Sequence, residues 1–402
     1  MIRSVFLIAL SLCAMAPAAD SPQWRGPNRD GKFAETGLLQ QWPAGGPRLV
    51  WKAQGLGEGY SSFAVVGNRL YTQGQQGDGE FVLALDAATG KQVWKTPTGR
   101  ALGNDKGNGP RGTPTVDGNR LYAVAGDGTL VCLETDTGKR VWGTSFVADF
   151  KGREPRWGYA ESPLVDGDRV IVTPGGSGAS IVALNKATGA VVWKSQSDGA
   201  AYSSAIPFDA GATRGLAILT ASAAVGLNMK NGELLWRYPN VANRVANIAT
   251  PIVSKDLVFV STDYGTGCAL LRLTPQGGSV QASEVYFNKD MRNHYTTSVL
   301  VDDYLYGYSS EILTAMEFLT GKVAWRNRSV GKGNCIYADQ RLYCMGEDGA
   351  VGLIEPTPAA YTEKSRFEIP RGANPTWTPP VVANGRLYLR EQDNLYSFDI
   401  KR

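Results

Sequence analysis

Residues 113–142 read TPTVDGNRLYAVAGDGTLVCLETDTGKRVW, and this stretch decides the fold. Residues 113–117 form a short strand behind a proline. Gly118-Asn119 makes a two-residue turn, where both residue types tolerate positive φ. Residues 120–125 run back, with Leu121, Ala123 and Ala125 on one face and Tyr122 and Val124 on the other. After Gly126-Asp127-Gly128 comes a third strand, 129–134, and after Asp136-Thr137-Gly138 a fourth, 139–144, carrying Trp142. No window carries a ten-residue apolar stripe of helical period. Four short antiparallel strands in about 45 residues make one blade of a β-propeller.

The last eleven residues of this unit recur. ALDAATGKQVW (84–94) returns as CLETDTGKRVW (132–142), ALNKATGAVVW (183–193), GLNMKNGELLW (226–236) and AMEFLTGKVAW (315–325). The first residue is small, the seventh is Gly and the eleventh is Trp. The glycine supplies the left-handed backbone of the hairpin, and the tryptophan packs across to the next blade. Trp51, Trp94, Trp142, Trp193, Trp236 and Trp325 are therefore read as structural docking residues, not as an aromatic binding site. Blades begin near Ser61, Thr113, Ser162, Ser203, Thr250, Thr297, Cys335 and Thr378, which makes eight. Two are degenerate at the docking position, offering Tyr286 or Phe287 in the fifth and Phe367 in the seventh; seven blades is the alternative if one of these is an insertion. Leu49-Val50-Trp51-Lys52 ends a blade that has no beginning, and the chain's last unit stops after three strands. Pairing the N-terminal strand with that C-terminal blade closes an all-β, eight-bladed ring and covers two exposed edges. The propeller spans residues 49–402.

The eleven-residue unit resembles the tryptophan-docking motif of the quinoprotein dehydrogenases and their PQQ-like propeller relatives. TrpArgGlyProAsnArgAspGly at 24–31 also resembles the N-terminal segment of many secreted bacterial PQQ-like repeat proteins. It sits in a Gly- and Pro-rich lead-in, 19–48, expected to lie across one face of the disc with Trp24 packed down. The resemblance implies a propeller fold. It leaves two functions open, a PQQ- and calcium-dependent dehydrogenase or a scaffold similar to the propeller lipoprotein of the outer-membrane barrel-insertion machinery.

Residues 1–18 read as a signal peptide: Arg3, an apolar run over 5–12 too short to span a bilayer, and Ala16-Pro17-Ala18 as a cleavage site. The mature chain should be exported, periplasmic or extracellular, without a transmembrane segment, and monomeric. With 41 basic against 37 acidic residues the formal charge is +4, and no basic block points to nucleic acid or anionic lipid. Cys335 and Cys344 flank an eight-residue hairpin. With Asp339-Gln340 as its turn they face each other as a non-hydrogen-bonded pair, Cα atoms roughly 4.5 Å apart, so a disulfide is expected there, with two free thiols as the alternative. Cys132 and Cys268 lie in different blades and read as buried thiols. No CxxC, zinc-spaced cluster or CxxCH occurs.

In a propeller the loops feeding each first strand ring the central channel, together with the loops between second and third strands. The feeder loops here converge Tyr60, Arg111, Trp157, Tyr159, Glu161, Tyr202, Asn247, His294, Tyr295, Lys332 and Trp377 on one funnel. Aromatics to stack, cations for carboxylates and amides for hydrogen bonds suit a flat polar anion; the alternative is a set of side chains that plug the channel. His294 is the lone histidine and has no nucleophile elbow beside it. The dehydrogenases' adjacent cysteine pair is absent. Only Glu161 and Asn247 are placed to contribute to a calcium set, and no metal ligands or catalytic residues are assigned. The expected function is thus a non-catalytic scaffold or ligand-binding module without a cofactor, partnered by exported or envelope proteins or a small polar ligand. The alternative is a dehydrogenase of alcohols or sugars holding PQQ and calcium.

Overall fold

In the computed structural model, which describes residues 20–402, every sheet but one has four strands, and six of the eight sheets run in sequence-neighbour order. The expected signal peptide lies outside the described residues. Blade 2 runs Thr115–Asp117, Arg120–Val124, Thr129–Glu134 and Arg140–Ser145, close to the sequence reading. Eight such blades form the ring. Blade 8 is closed as expected: Arg48–Ala53 pairs antiparallel with Asn394–Asp399, so the chain's two ends share one sheet. The fifth sheet strand in blade 7 is Lys32–Phe33, which joins its inner edge in parallel.

The core is divided among the seams between blades. In blade 2, Leu121, Ala123, Val131 and Leu133 pack toward blade 1, while Tyr122, Val124, Leu130 and Cys132 pack toward blade 3. The two-residue period of a strand thus allots alternate side chains to alternate seams.

Where both neighbouring blades keep the docking motif, it works through the same contact. The indole of Trp94 donates to the carbonyl of Thr135 at 2.8 Å and lies against Gly138, where a Cβ would come within 2.5 Å of the ring. Trp142 repeats this with the Lys186 carbonyl and Gly189, and Trp193 with the Met229 carbonyl and Gly232. Trp51 does so across the closing seam, with Ala87 and Gly90. The motif glycine is required twice over: its φ is near +70° (Gly138 at 71°) and the preceding blade's indole occupies its Cβ position. Tyr286 takes the role in blade 5, donating to the Phe318 carbonyl at 3.0 Å and resting on Gly321.

Blade 5 has no motif glycine or carbonyl to offer blade 4, and the sequence of blade 4 shows the consequence. Trp236 Nε1 has no partner, and Ala217 holds the second-strand position from which Tyr71 and Tyr122 add a second donor in blades 1 and 2, while Phe208 of the first strand packs against the Trp236 ring. Trp236 instead folds over Gly226 of its own blade, where a Cβ would fall 2.0 Å from Nε1.

Blade 7 corrects one sequence expectation. Ser365, not Phe367, occupies the docking register, beside the bulge at Leu353/Ile354. Phe367 reaches blade 8, edge-on to Phe398 at 5.0 Å, and Trp42 of the lead-in covers it at 5.1 Å. Trp42 is tied down by its backbone N–H to Ser365 Oγ at 2.7 Å. The cysteine pair corrects another. Cys335 and Cys344 are register partners across an Asp339-Gln340 turn with both φ positive, as read, yet both are free buried thiols. Cys335 Sγ is turned to the next seam, donating to the Tyr306 carbonyl at 3.3 Å. Cys132 and Cys268 are buried thiols as expected.

Trp193→Ala should lower the unfolding free energy by about 3–5 kcal/mol, seen as a lower urea midpoint at unchanged slope. A loss under about 1 kcal/mol would mean that the indole docking does not hold the seam. Gly226→Ala should destabilise as well, because the Trp236 indole must leave its own blade's surface to admit the methyl group.

Candidate functional site

The funnel at the feeder-loop end of the channel is a cavity of about 400 Å³. Eight of the eleven expected residues line it: Tyr60, Arg111, Trp157, Tyr202, His294, Tyr295, Lys332 and Trp377. The other three turn away to serve the backbone. Tyr159 packs edge-on against Phe146 and donates to the Pro174 carbonyl at 3.0 Å. Glu161 accepts from the Thr173 N–H at 2.6 Å within the blade 3 wall. Asn247 spans blades 4 and 5, donating to the Thr220 carbonyl and accepting from the Asn243 N–H.

The floor comes from the lead-in, which crosses the face opposite the feeder loops, over the first-to-second-strand turns of blades 1, 7 and 8, with Trp24 packed into the channel. Ser21 bridges Val65 of blade 1, and the Val116 N–H of blade 2 donates to the Pro22 carbonyl. Arg29 is buried and clamps the carbonyls of Ser162 and Pro163 in blade 3. Arg25 is buried and holds those of Thr297 and Ser298 in blade 6. Between them Trp24 donates to Thr250 Oγ1 at 3.0 Å and its ring closes the bottom of the cavity. The channel therefore opens at one end, and the Trp24–Gly31 motif is its axle.

The wall over blades 1, 8 and 6 is an aromatic column. Tyr60 lies 4.9 Å from Trp377, which stacks on Tyr295 at 5.3 Å, and His294 meets Tyr295 edge-on. Across the funnel Trp157 lies 5.7 Å from Tyr202, with its indole N–H toward Asp105. Arg111 is held over the Tyr60 ring by the carbonyls of Gly107 and Gly109. Lys332 sits over Tyr295 and 3.3 Å from Glu347, which also accepts the Trp377 indole N–H at 2.7 Å. Burial first, and the charge of Lys332 second, depress the His294 imidazole to about 4, so it is neutral near pH 7.

Sequence reading missed Trp24, Lys106, Tyr264 and Glu347 as lining residues. Tyr264 and Glu347 stand on turns between second and third strands, the other loop class that rings a channel mouth, so their positions carried the signal. Trp24 carried none beyond its unusual motif.

PQQ is a planar tricarboxylate quinone, and the rings and cations of the funnel suit such an anion. The calcium set does not follow. Among the described residues no group of three or more His, Cys, Asp or Glu side chains could hold a metal ion. Glu161 and Asn247 point away from the cavity, and its carboxylate, Glu347, is engaged by Trp377 and Lys332.

The sequence profile of the family described as outer membrane protein assembly factor BamB matches residues 40–142 and 78–327. The chain belongs to this PQQ-like propeller family. It is 26% identical over 388 residues to the outer membrane protein assembly factor BamB of Burkholderia pseudomallei, covering 92% of each chain. The solved BamB of Moraxella catarrhalis superimposes with a TM-score of 0.62 at 18% identity, over 88% of this chain and 98% of that one. Quinohemoprotein alcohol dehydrogenase from Comamonas testosteroni superimposes with 0.66 at 13% identity, over 94% and 80%. These two likenesses concern the fold.

The buried Glu161 carboxyl gives a pH test of the blade 3 wall. Burial lifts it from 4.5 to about 7, against the pull of its Thr173 bonds and of Arg29. An acid with a raised folded pKa holds its proton in the folded state while the unfolded chain loses it. Its contribution is therefore neutral below about pH 4.5 and turns destabilising as pH rises to about 7. Wild type should lose stability relative to Glu161→Gln across that window, by at most about 1.4 kcal/mol per pH unit, in urea titrations at stepped pH. A difference that stays flat, or reverses, would show that Glu161 ionises normally.

Proposed function

We propose that the protein is a non-catalytic scaffold of the cell envelope that holds other envelope proteins during outer-membrane protein assembly. The observation that carries this is the match to a BamB assembly factor over 92% of each chain. The N-terminal residues support export, and no helix among the described residues is long and apolar enough to cross a membrane. The funnel, closed below by Trp24 and open above, supports one-sided engagement of a partner, and a single closed ring supports action as a monomer. Deleting the gene in its host should lower the folded, heat-modifiable fraction of outer-membrane β-barrel proteins, with recovery on re-expression. An unchanged fraction would sink this reading.

The dehydrogenase reading is favoured by the fold likeness to the quinohemoprotein enzyme, but not by the donors present. Arg111, Lys332 and the aromatic walls could receive the carboxylates and the ring of PQQ, which supplies a two-electron quinone when bound; no calcium set accompanies them. Titration of the mature protein with PQQ, followed by Trp fluorescence, should show no dependence on calcium. Calcium-dependent saturation at micromolar PQQ would return the enzyme to first place.

A further inference from the structure

We propose that the funnel is a socket for an acidic peptide segment of a partner protein, in which carboxylates flank an apolar residue and meet Arg111 and Lys332. This rests on the scaffold reading above and specifies its contact. The aromatic column ends in a cation at each end. Arg111 lies 5.2 Å over Tyr60, and Lys332 lies 5.4 Å over Tyr295, with Trp377 stacked between the two tyrosines. The rings spend their faces on each other and on these cations. What they leave for a ligand is their edges, which carry partial positive charge and attract anions.

The charges are also out of balance. Lys106, Arg111 and Lys332 line the cavity against the one carboxylate of Glu347, and His294 is neutral near pH 7. Arg111 is anchored by the Gly107 and Gly109 carbonyls at 3.0 Å or less, which orients its guanidinium without neutralising it. Glu347 compensates Lys332 alone. An incoming carboxylate would complete the pairing of Arg111, and a second would compete with Glu347 for Lys332. Such charge-assisted bonds in a partly desolvated funnel are the strong ones.

The rim decides for a segment of a protein and against a free small anion. Val245 is 49% exposed and Tyr264 43% exposed at the blade 4–5 side of the mouth, beside the lining residues Ala246 and Ile248. A small molecule resting on Trp24 would fill the cavity and leave Val245 bare. A partner whose segment enters the funnel brings a body that covers the rim, and the closed floor requires that segment to enter and leave by the same mouth.

The test uses the mature full-length protein and calorimetric titration with acetyl-Glu-Phe-Glu-amide, its Gln-Phe-Gln counterpart, and free glutarate. The acidic peptide should saturate below about 1 mM, and the amide peptide should bind at least about tenfold more weakly. Arg111→Gln and Lys332→Gln should each weaken the acidic peptide by about tenfold, while Arg111→Lys retains more of the binding. Binding should weaken as salt rises from about 50 mM to about 500 mM. Lys106→Gln, on an exposed side chain outside the column, guards against misfolding of the other variants and should show a smaller loss in the same direction. Equal binding of the two peptides, or no saturation by either, overturns the proposal. Glutarate binding as tightly as the acidic peptide, with the same sensitivity to Arg111→Gln, also overturns it, because the site would then take small anions. These outcomes are separate from β-barrel assembly in the deletion strain, which decides the scaffold reading alone.

Discussion

An indole resting on the next blade's glycine is the contact on which this ring depends. A blade of four short strands cannot bury both of its faces alone, so its stability resides in its seams. Each seam needs a device that fixes the distance and angle between neighbours, and the docking tryptophan supplies both. Its ring fills the space above a glycine, and its N–H satisfies a turn carbonyl of the same hairpin. The second-strand tyrosines reinforce the choice of carbonyl. Tyr122 and Trp142 both donate to Lys186, and where blade 5 offers no such carbonyl, blade 4 has Ala217 in place of tyrosine. The sequence of one blade is thus written partly by what its neighbour can accept.

Closing the ring adds a constraint that the repeats cannot meet by themselves. The final seam joins strands from the two ends of the chain, and the buried Arg390 fastens it from blade 8 to blade 1. Its guanidinium donates to the carbonyls of Ser61, Gln73, Gly57 and Gln392 and to Thr72 Oγ1. Burial lowers it to about 10, still protonated near pH 7. The lead-in uses the same chemistry at the axis, where Arg25 and Arg29 meet carbonyls of blades 6 and 3. Planar guanidinium groups suit this task because several fixed donors can serve several carbonyls at once. A carbonyl-lined interior thereby becomes a satisfied one without a carboxylate at each cation.

The fold was legible because its decisive residues repeat. Five copies of one eleven-residue unit located the seams, and the half blade at Leu49–Lys52 located the closure. Where a seam departs from the repeat, the sequence signal weakened. Phe367 looked like a docking residue by its distance along the chain, but the strand register puts Ser365 at that position, and Trp42, far off in sequence, covers the gap. The funnel was legible in part for a related reason. Feeder loops are recognisable from the strands they serve, so most of the lining could be named. Which way a side chain turns depends on the backbone groups it must satisfy. Tyr159, Glu161 and Asn247 were drawn into the walls by Pro174, Thr173 and Thr220, none of which has a repeat signature.

The same division separates what likeness can carry from what it cannot. Seam residues fix the ring, and any chain that keeps them will superimpose on any other, enzyme or assembly factor. The funnel residues sit on loops that the seams do not constrain, so the chemistry there is free to change while the fold stays. In this chain the loops bring together cations and aromatic edges, and they turn the candidate calcium ligands into the walls. A site of that composition can attract and orient an anion. The neutral His294 is held there by the Tyr264 hydroxyl at 2.8 Å, and among the described residues no group of three or more His, Cys, Asp or Glu side chains could hold a metal ion. The step from a propeller to this propeller's task therefore runs through the loop side chains.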